Sequence, residues 1–289
     1  MLQSVSAVTF SVPDLDRSSR AFQQCLGHRA RVGATRADVA AAWGVPGLAG
    51  RPQVLLQPAS GDGTRIRLIQ APATTGYRPM VTPGWNAAEL HVADVMGLAE
   101  SLEGSPFQVI GGPRDLLGGG EVVALQVRGP GDEILYLTEM KDPGYRKTYG
   151  HAQSPVDRVF IVVLGTDDMD GSRHFYGQIS RELTPTRSFA IRVLASALGL
   201  AADTPFSIAS ALCKKRGRIE LDQLPRSVQQ RPGVPGELPP GLSMVSFTVA
   251  DAAGVCWSDG PDQAPYCGRP FGILRGPCGE WLELIQDDC

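Results

Sequence analysis

The feature that most constrains this chain is a unit that recurs four times. Each copy opens with a short apolar strand running toward an aspartate. These are Ser6 to Asp14, Ala87 to Asp94, Arg158 to Val163 (reaching Asp168 after a small insertion) and Met244 to Asp251. Each copy closes with a Gly-rich turn and a strand of alternating apolar residues: Gly61 to Gln70, Gly129 to Leu137, Arg216 to Leu221 and Gly276 to Leu284. Such turns ahead of alternating patterns signal hairpins. A unit repeated at this spacing cannot bury its apolar face alone and must pair with its copies.

In three copies the pattern predicts a helix after the opening strand, over Arg17 to Leu26, Val95 to Leu102 and Ser172 to Ile179. Asp14, Asp94 and Asp168 are placed to cap these helices, because a side-chain oxygen there accepts otherwise orphaned backbone N–H groups. Gly27 is placed to stop the first. The stretch after Asp251 is short and rich in Gly and Pro, and a helix there is not clearly legible. The modules read as 1–72, 84–142, 154–223 and 240–289, and two domains of two modules each are expected, 1–146 and 147–289. Met140 to Gln153 reads as a polar linker. Pro225 to Pro240 holds five prolines and reads as an extended crossover. Two long insertions, Ala34 to Pro58 and Thr184 to Leu212, are candidates to cap a cavity, with a helix expected over Ala190 to Leu200.

Composition narrows the function classes. The formal net charge is −3 and 20% of residues are charged, so there is neither a nucleic-acid footprint nor a polybasic membrane patch. No apolar run approaches a membrane span. Met1-Leu2-Gln3-Ser4-Val5 lacks the basic start of a signal peptide, so a cytoplasmic protein is expected. The six cysteines form no CxxC pair and no zinc spacing, and read as reduced thiols.

The strand ending in V-x-D, the helix pattern Ser172-Arg173-His174-Phe175-Tyr176, the helix end Leu26-Gly27 and the closing G-x-x-x-E-L strand resemble the vicinal oxygen chelate superfamily. That group includes glyoxalase I, extradiol dioxygenases, fosfomycin and bleomycin resistance proteins and several epimerases. The resemblance implies an α+β fold: four βαβββ modules forming two cup-shaped, curved, mixed β-sheets with helices outside. It also implies a small-molecule substrate and, since the fold pairs modules within or across chains, a homodimer among the compatible states.

In that family a metal is held in the cup by residues of first strands, usually His, and of last strands, usually Glu. The matching positions here are Ala7, Ala87, Arg158 and Met244 on first strands, and Arg67, Tyr136, Glu220 and Glu283 on last strands. A divalent metal needs three or four converging N, O or S ligands. Only the two Glu serve, so no cofactor is expected and a metal is disfavoured; a metal reading would have to use His91 and Glu89. Strand alternation preserves the face on a shift of two residues, which brings Glu89 and His91 into the same face as Ala87.

Two constellations follow. If modules one and two share a cup, Arg67, Glu89, His91 and Tyr136 converge. In the other half, Arg158, Glu220 and Glu283 would line a cup beside Met244 and Trp281. A carboxylate beside an arginine can move a proton while the cation holds a developing anion, which makes Glu283, Glu89 and His91 the catalytic candidates and Arg158, Arg67, Tyr136, Glu220, Met244 and Trp281 the substrate-binding ones. A structural reading competes for each set, namely buried ion pairs in a vestigial site. Three functions remain open: a metal-independent isomerase or lyase acting on a small, oxygenated, partly apolar substrate; a resistance-type protein that sequesters its ligand unchanged; and a metal-dependent dioxygenase or lyase with atypical ligands.

Overall fold

The computed structural model describes residues 1–250, 252 and 254–287. Module one runs β1 (Leu2–Val12), α1 (Leu15–Leu26), β2 (Arg29–Ala34), α2 (Ala37–Ala42), a 3-10 turn (Pro46–Leu48), β3 (Pro52–Gln57) and β4 (Arg65–Gln70). Module two runs β5 (Gly84–Val92), α3 (Val95–Ser101), β6 (Gln108–Asp115), β7 (Val122–Arg128) and β8 (Ile134–Met140), and is followed by α4 (Pro143–Tyr149). Module three runs β9 (Val156–Thr166), α5 (Met169–Ile179), β10 (Glu182–Leu183), β11 (Arg187–Ala190), α6 (Arg192–Leu198), β12 (Pro205–Leu212) and β13 (Arg218–Gln223). Module four contributes β14 (Gly241–Val249), β15 (Phe271–Arg275) and β16 (Trp281–Gln286).

The repeat is built by local chemistry. Asp14 accepts from the Arg17 N–H at 2.9 Å, Asp94 from Gly97 at 3.0 Å and Asp168 from Gly171 at 3.1 Å, so the three expected caps start α1, α3 and α5. Gly27 ends α1 with a left-handed φ of 69°. Asp251 lies outside the described residues. The closing turns of modules two and four share one device. Glu133 folds back to accept from the Gly131 N–H, and Glu280 from the Cys278 N–H. A Cβ at Gly129 or Gly276 would come within 2.3 Å and 2.0 Å of those carboxylates, so any side chain there would displace them from their turn contacts.

The strands form two mixed sheets. One has the order β15-β16-β14-β1-β4-β3-β2; the other has the order β10-β12-β13-β9-β5-β8-β7-β6, with β11 against β12. The first sheet joins modules one and four, because β1 pairs antiparallel with β14. The second joins modules two and three, because β5 pairs antiparallel with β9. This corrects the expectation of one cup in each half, 1–146 and 147–289: the chain leaves module one, builds both central modules and returns. The crossover at 225–240 has to be long because it carries the chain from the second sheet back to the first.

Alternation assigns the faces. Val8, Phe10, Val12, Ala88, Leu90, Val162, Leu164, Val245 and Phe247 point to one continuous core between the convex faces of the two sheets. The opposite faces form two separate cups, each with its own apolar cluster. The insertions close them as expected. Trp43 and Leu48 enter the first cup, while Val193, Leu194 and Ala195 of α6 pack over the apolar cluster of the second. The stretch read as a linker, Met140 to Gln153, is instead partly helical. Asp142 caps α4 through the Gly144 and Tyr145 N–H groups, and Pro143 sits at its first turn.

Arg231, on the crossover, ties the sheets together. Its guanidinium donates to the carbonyls of Trp85 (2.7 Å) and Leu242 (3.0 Å), to Asn86 Oδ1 (3.0 Å) and to Thr82 Oγ1 (3.2 Å). Arg231→Ala leaves these acceptors without their charged donor and is expected to cost about 2–3 kcal/mol. Urea unfolding of the two proteins measures it; equal midpoints would show that the clamp carries no stability.

Candidate functional site

The first cup is organised around Glu283, whose side chain is 0% exposed. The strand register places it beside Ser246, and places Arg67 beside Thr9. Trp43 Nε1 and Tyr266 Oη donate to Glu283 Oε1, each at 2.7 Å. Arg67 Nη2 donates to Oε2 at 3.0 Å, and Ser246 Oγ donates to the same oxygen. A carboxylate offers about four lone-pair sites, and four donors fill them here. Burial alone would raise this carboxyl, but Arg67 and the three other donors hold it below the usual carboxylate range. Glu283 is therefore an ionised, saturated carboxylate: to accept a substrate proton it would have to give up a buried donor.

Tyr266 reaches the cup from the irregular segment that takes the place of a helix in module four. Its loop is held by Arg269, which donates to the Tyr266 and Pro265 carbonyls at 2.7 Å and 2.9 Å. Arg67 also donates to Tyr266 Oη at 3.3 Å and lies 5.0 Å from the Trp43 ring centre.

The second cup gathers Glu89 and Tyr136, neighbours in register on β5 and β8, with Glu220, Asp222 and Arg218 from β13. Its walls are Ala87, Ile134, Ile161, Val163 and Phe206, with α6 above. Here the polar groups have few partners. Thr138 Oγ1 donates to Glu89 Oε1 at 2.5 Å. Asp222 Oδ1 is buried without any partner. Burial raises the Glu89 carboxyl to about 8, and the charge of nearby Glu220 pushes in the same direction. Burial also raises Glu220, opposed by Arg218, and raises Asp222 well above the carboxylate range, with Glu220 and Glu89 adding to it. Burial likewise lifts the Tyr136 phenol.

The remaining candidates fall elsewhere. Arg67 does not meet Glu89, His91 and Tyr136, and Glu283 does not meet Arg158 and Glu220, because each supposed set is split between the two sheets. Met244 and Trp281 are packed in the apolar cluster of the first cup, and the Trp281 carbonyl accepts from Trp85 Nε1 at 2.8 Å. His91 stacks on Phe160 at 3.8 Å, with Nε2 3.0 Å from the Tyr149 carbonyl of α4. Arg158 lies at this end of the strand as well, 4.0 Å from Asp62.

Burial, and next the Arg158 charge, lower His91 to about 4. The folded state thus binds fewer protons than the unfolded chain between pH 4 and 6.5, and this group costs stability as pH falls through that window. NMR of the His91 ring is expected to show a midpoint near 4; a midpoint near 6.5 would contradict the packing described.

Sequence reasoning missed Tyr266, which sits in a segment without periodicity, and Ser246, which is two residues along β14 from the expected Met244. Asp222, two residues from Glu220 on the same strand face, is 3% exposed. Trp43 is delivered by the Ala34 to Pro58 insertion, for which the sequence offered only a capping role.

The register sets Thr9 beside Arg67 and Ser246 beside Glu283 in the first cup, and Glu89 beside Tyr136 and Val163 beside Glu220 in the second. Among the described residues no three His, Cys, Asp or Glu side chains are arranged to hold a metal ion. The donor sets do not fit the metal that this fold commonly carries.

The sheet order and packing are those of the glyoxalase I-like fold. The chain superposes on glyoxalase I from Zea mays with a TM-score of 0.58 at 17% identity, covering 98% of this chain and 92% of that one. A point mutant of the maize protein gives 0.61 at 16%, over 98% and 93%. A Bacillus subtilis protein described as a "putative dioxygenase" gives 0.62 at 12%, over 100% and 86%. No protein-family model matches the sequence, and neither does any curated protein. No helix among the described residues is long and apolar enough to cross a membrane.

Proposed function

We propose that the protein is an acid–base enzyme of the isomerase or lyase type that works without a metal in its second cup. The observation that carries this reading is that Glu89, Glu220, Asp222 and Tyr136 lie close enough to perturb one another on the apolar side of the second sheet, with Asp222 Oδ1 buried and unpaired. A merely structural set of buried polar groups would be satisfied internally. A carboxyl near 8 is matched to exchanging protons around neutrality. Two carboxyls in unequal environments divide the roles: Glu220, beside Arg218, takes a proton from carbon, and Glu89 supplies one to the substrate oxygen or to a neighbouring carbon. Tyr136 and Arg218 hold the oxygen on which charge develops. The substrate is small, oxygenated and partly apolar, as the walls require.

The test needs no known substrate. The protein is incubated in deuterated water with a panel of small 2-oxo and 2-hydroxy carbonyl compounds, and proton NMR follows exchange at the carbon beside the carbonyl. At least one compound is expected to exchange, with the rate falling on the order of 10²-fold or more in Glu89→Gln. Exchange unchanged in both Glu89→Gln and Glu220→Gln would remove the proposed groups. A compound that binds the second cup and is recovered without exchange would favour sequestration instead.

A further inference from the structure

The geometry points to a second, separate site in the first cup that binds a small planar carboxylate, with the Arg67 guanidinium as its anchor and Trp43 and Tyr266 as its walls. This inference does not depend on chemistry in the second cup. An open cleft runs from the α2 side and from the Tyr266 loop down to Arg67. Arg67, Trp43 and Tyr266 line it; Glu283 does not.

That asymmetry decides the ligand charge. Glu283 is the counter-ion of Arg67, but its lone pairs are consumed by four donors and its side chain is fully covered. The guanidinium has five N–H donors and spends one on Glu283 and one on Tyr266. The donor therefore faces the cleft while the acceptor is hidden behind it. The side chain of Arg67 is 3% exposed, so its remaining N–H groups are held in place and shielded from bulk water, where a charge-assisted contact is strong. Arg31 at the mouth adds positive charge. The Arg fork matches a carboxylate in shape. The two rings about Arg67, with centres 5.0 Å and 5.6 Å from it, favour a flat apolar body behind that carboxylate. The saturated Glu283 then serves as a positioning residue that fixes the anchor.

Benzoate is the probe and benzamide its neutral counterpart, titrated into the full chain while NMR follows the Trp43 indole N–H and the Arg67 Nε–H. Benzoate is expected to shift both resonances saturably and to bind at least about tenfold more tightly than benzamide. Arg67→Lys keeps the charge but loses the fork, and is expected to weaken benzoate about tenfold or more. The neutral pair Arg67→Met with Glu283→Gln is expected to abolish the saturable shift of the Trp43 indole. Equal affinity for benzamide, unchanged benzoate binding in these variants, or no saturable shift in the parent protein would each overturn the site.

Discussion

Replacing Arg67 by Met is expected to destabilise the fold by about 3–5 kcal/mol, because it strands an ionised carboxylate in a fully buried position. The same substitution combined with Glu283→Gln is expected to recover most of that loss. The amide oxygen can still accept from Trp43 and Tyr266, and its NH2 group can donate to Ser246 Oγ. The pair is then neutral and its partners remain satisfied. Urea unfolding of the parent, both single variants and the pair forms a double-mutant cycle. The pH dependence has a definite sign. Glu283 titrates below its ordinary value in the folded state, so its contribution is present above about pH 4.5 and is lost as pH falls through the lowered value. The paired variant should lose this acid-limb dependence. A stable Arg67→Met protein would mean that the cup floor is not held by the ion pair.

Glu89→Gln is expected to act with the opposite sign. The folded protein holds a proton on Glu89 up to about pH 8, whereas the unfolded chain releases it near 4.5. Between those values the folded state binds more protons, so stability falls as pH rises. Glutamine is neutral throughout and removes that slope. The variant should match the parent near pH 4.5 and exceed it by several kcal/mol at pH 8, at about 1.4 kcal/mol for each pKa unit. A residue whose removal stabilises the fold while abolishing turnover is what a site selected for chemistry rather than packing would show. Parallel stability profiles for the two proteins would mean that Glu89 is ionised and solvated.

The sequence carried the repeat and the three helix caps, because each of these is local or periodic; the curved-sheet architecture followed from the family resemblance. Asp14, Asp94 and Asp168 act within three residues of their targets, and the Gly turns act within five. The pairing of modules was not legible. Whether β1 meets β14 or β5 is decided by the back-to-back core of Phe10, Trp85, Leu90 and Phe247, residues far apart in sequence. That one ambiguity moved Arg67 and Glu283, expected in different sites, into a single ion pair, and brought Glu89 together with Glu220. Register was the other gap. A strand face survives a shift of two residues, so Met244 and Ser246 were equally acceptable until the partner strand fixed Ser246 beside Glu283. Tyr266 had no signal at all: an irregular segment delivers it, and only the turn held by Arg269 brings its hydroxyl to the carboxylate.

The two cups thus read as opposites built from one repeated unit. In the first, a buried arginine is paired with a carboxylate whose acceptor sites are all filled. In the second, Glu89 and Asp222 are held toward their protonated forms by burial, while Glu220 stands beside the opposing charge of Arg218. The measurement that tests this most directly is a ¹³C NMR titration of the Glu89 side-chain carboxyl, assigned by its loss in Glu89→Gln. A midpoint near pH 8 is predicted; a midpoint near 4.5 would contradict the account, since the second cup would then hold an ordinary carboxylate with no proton to give at neutral pH.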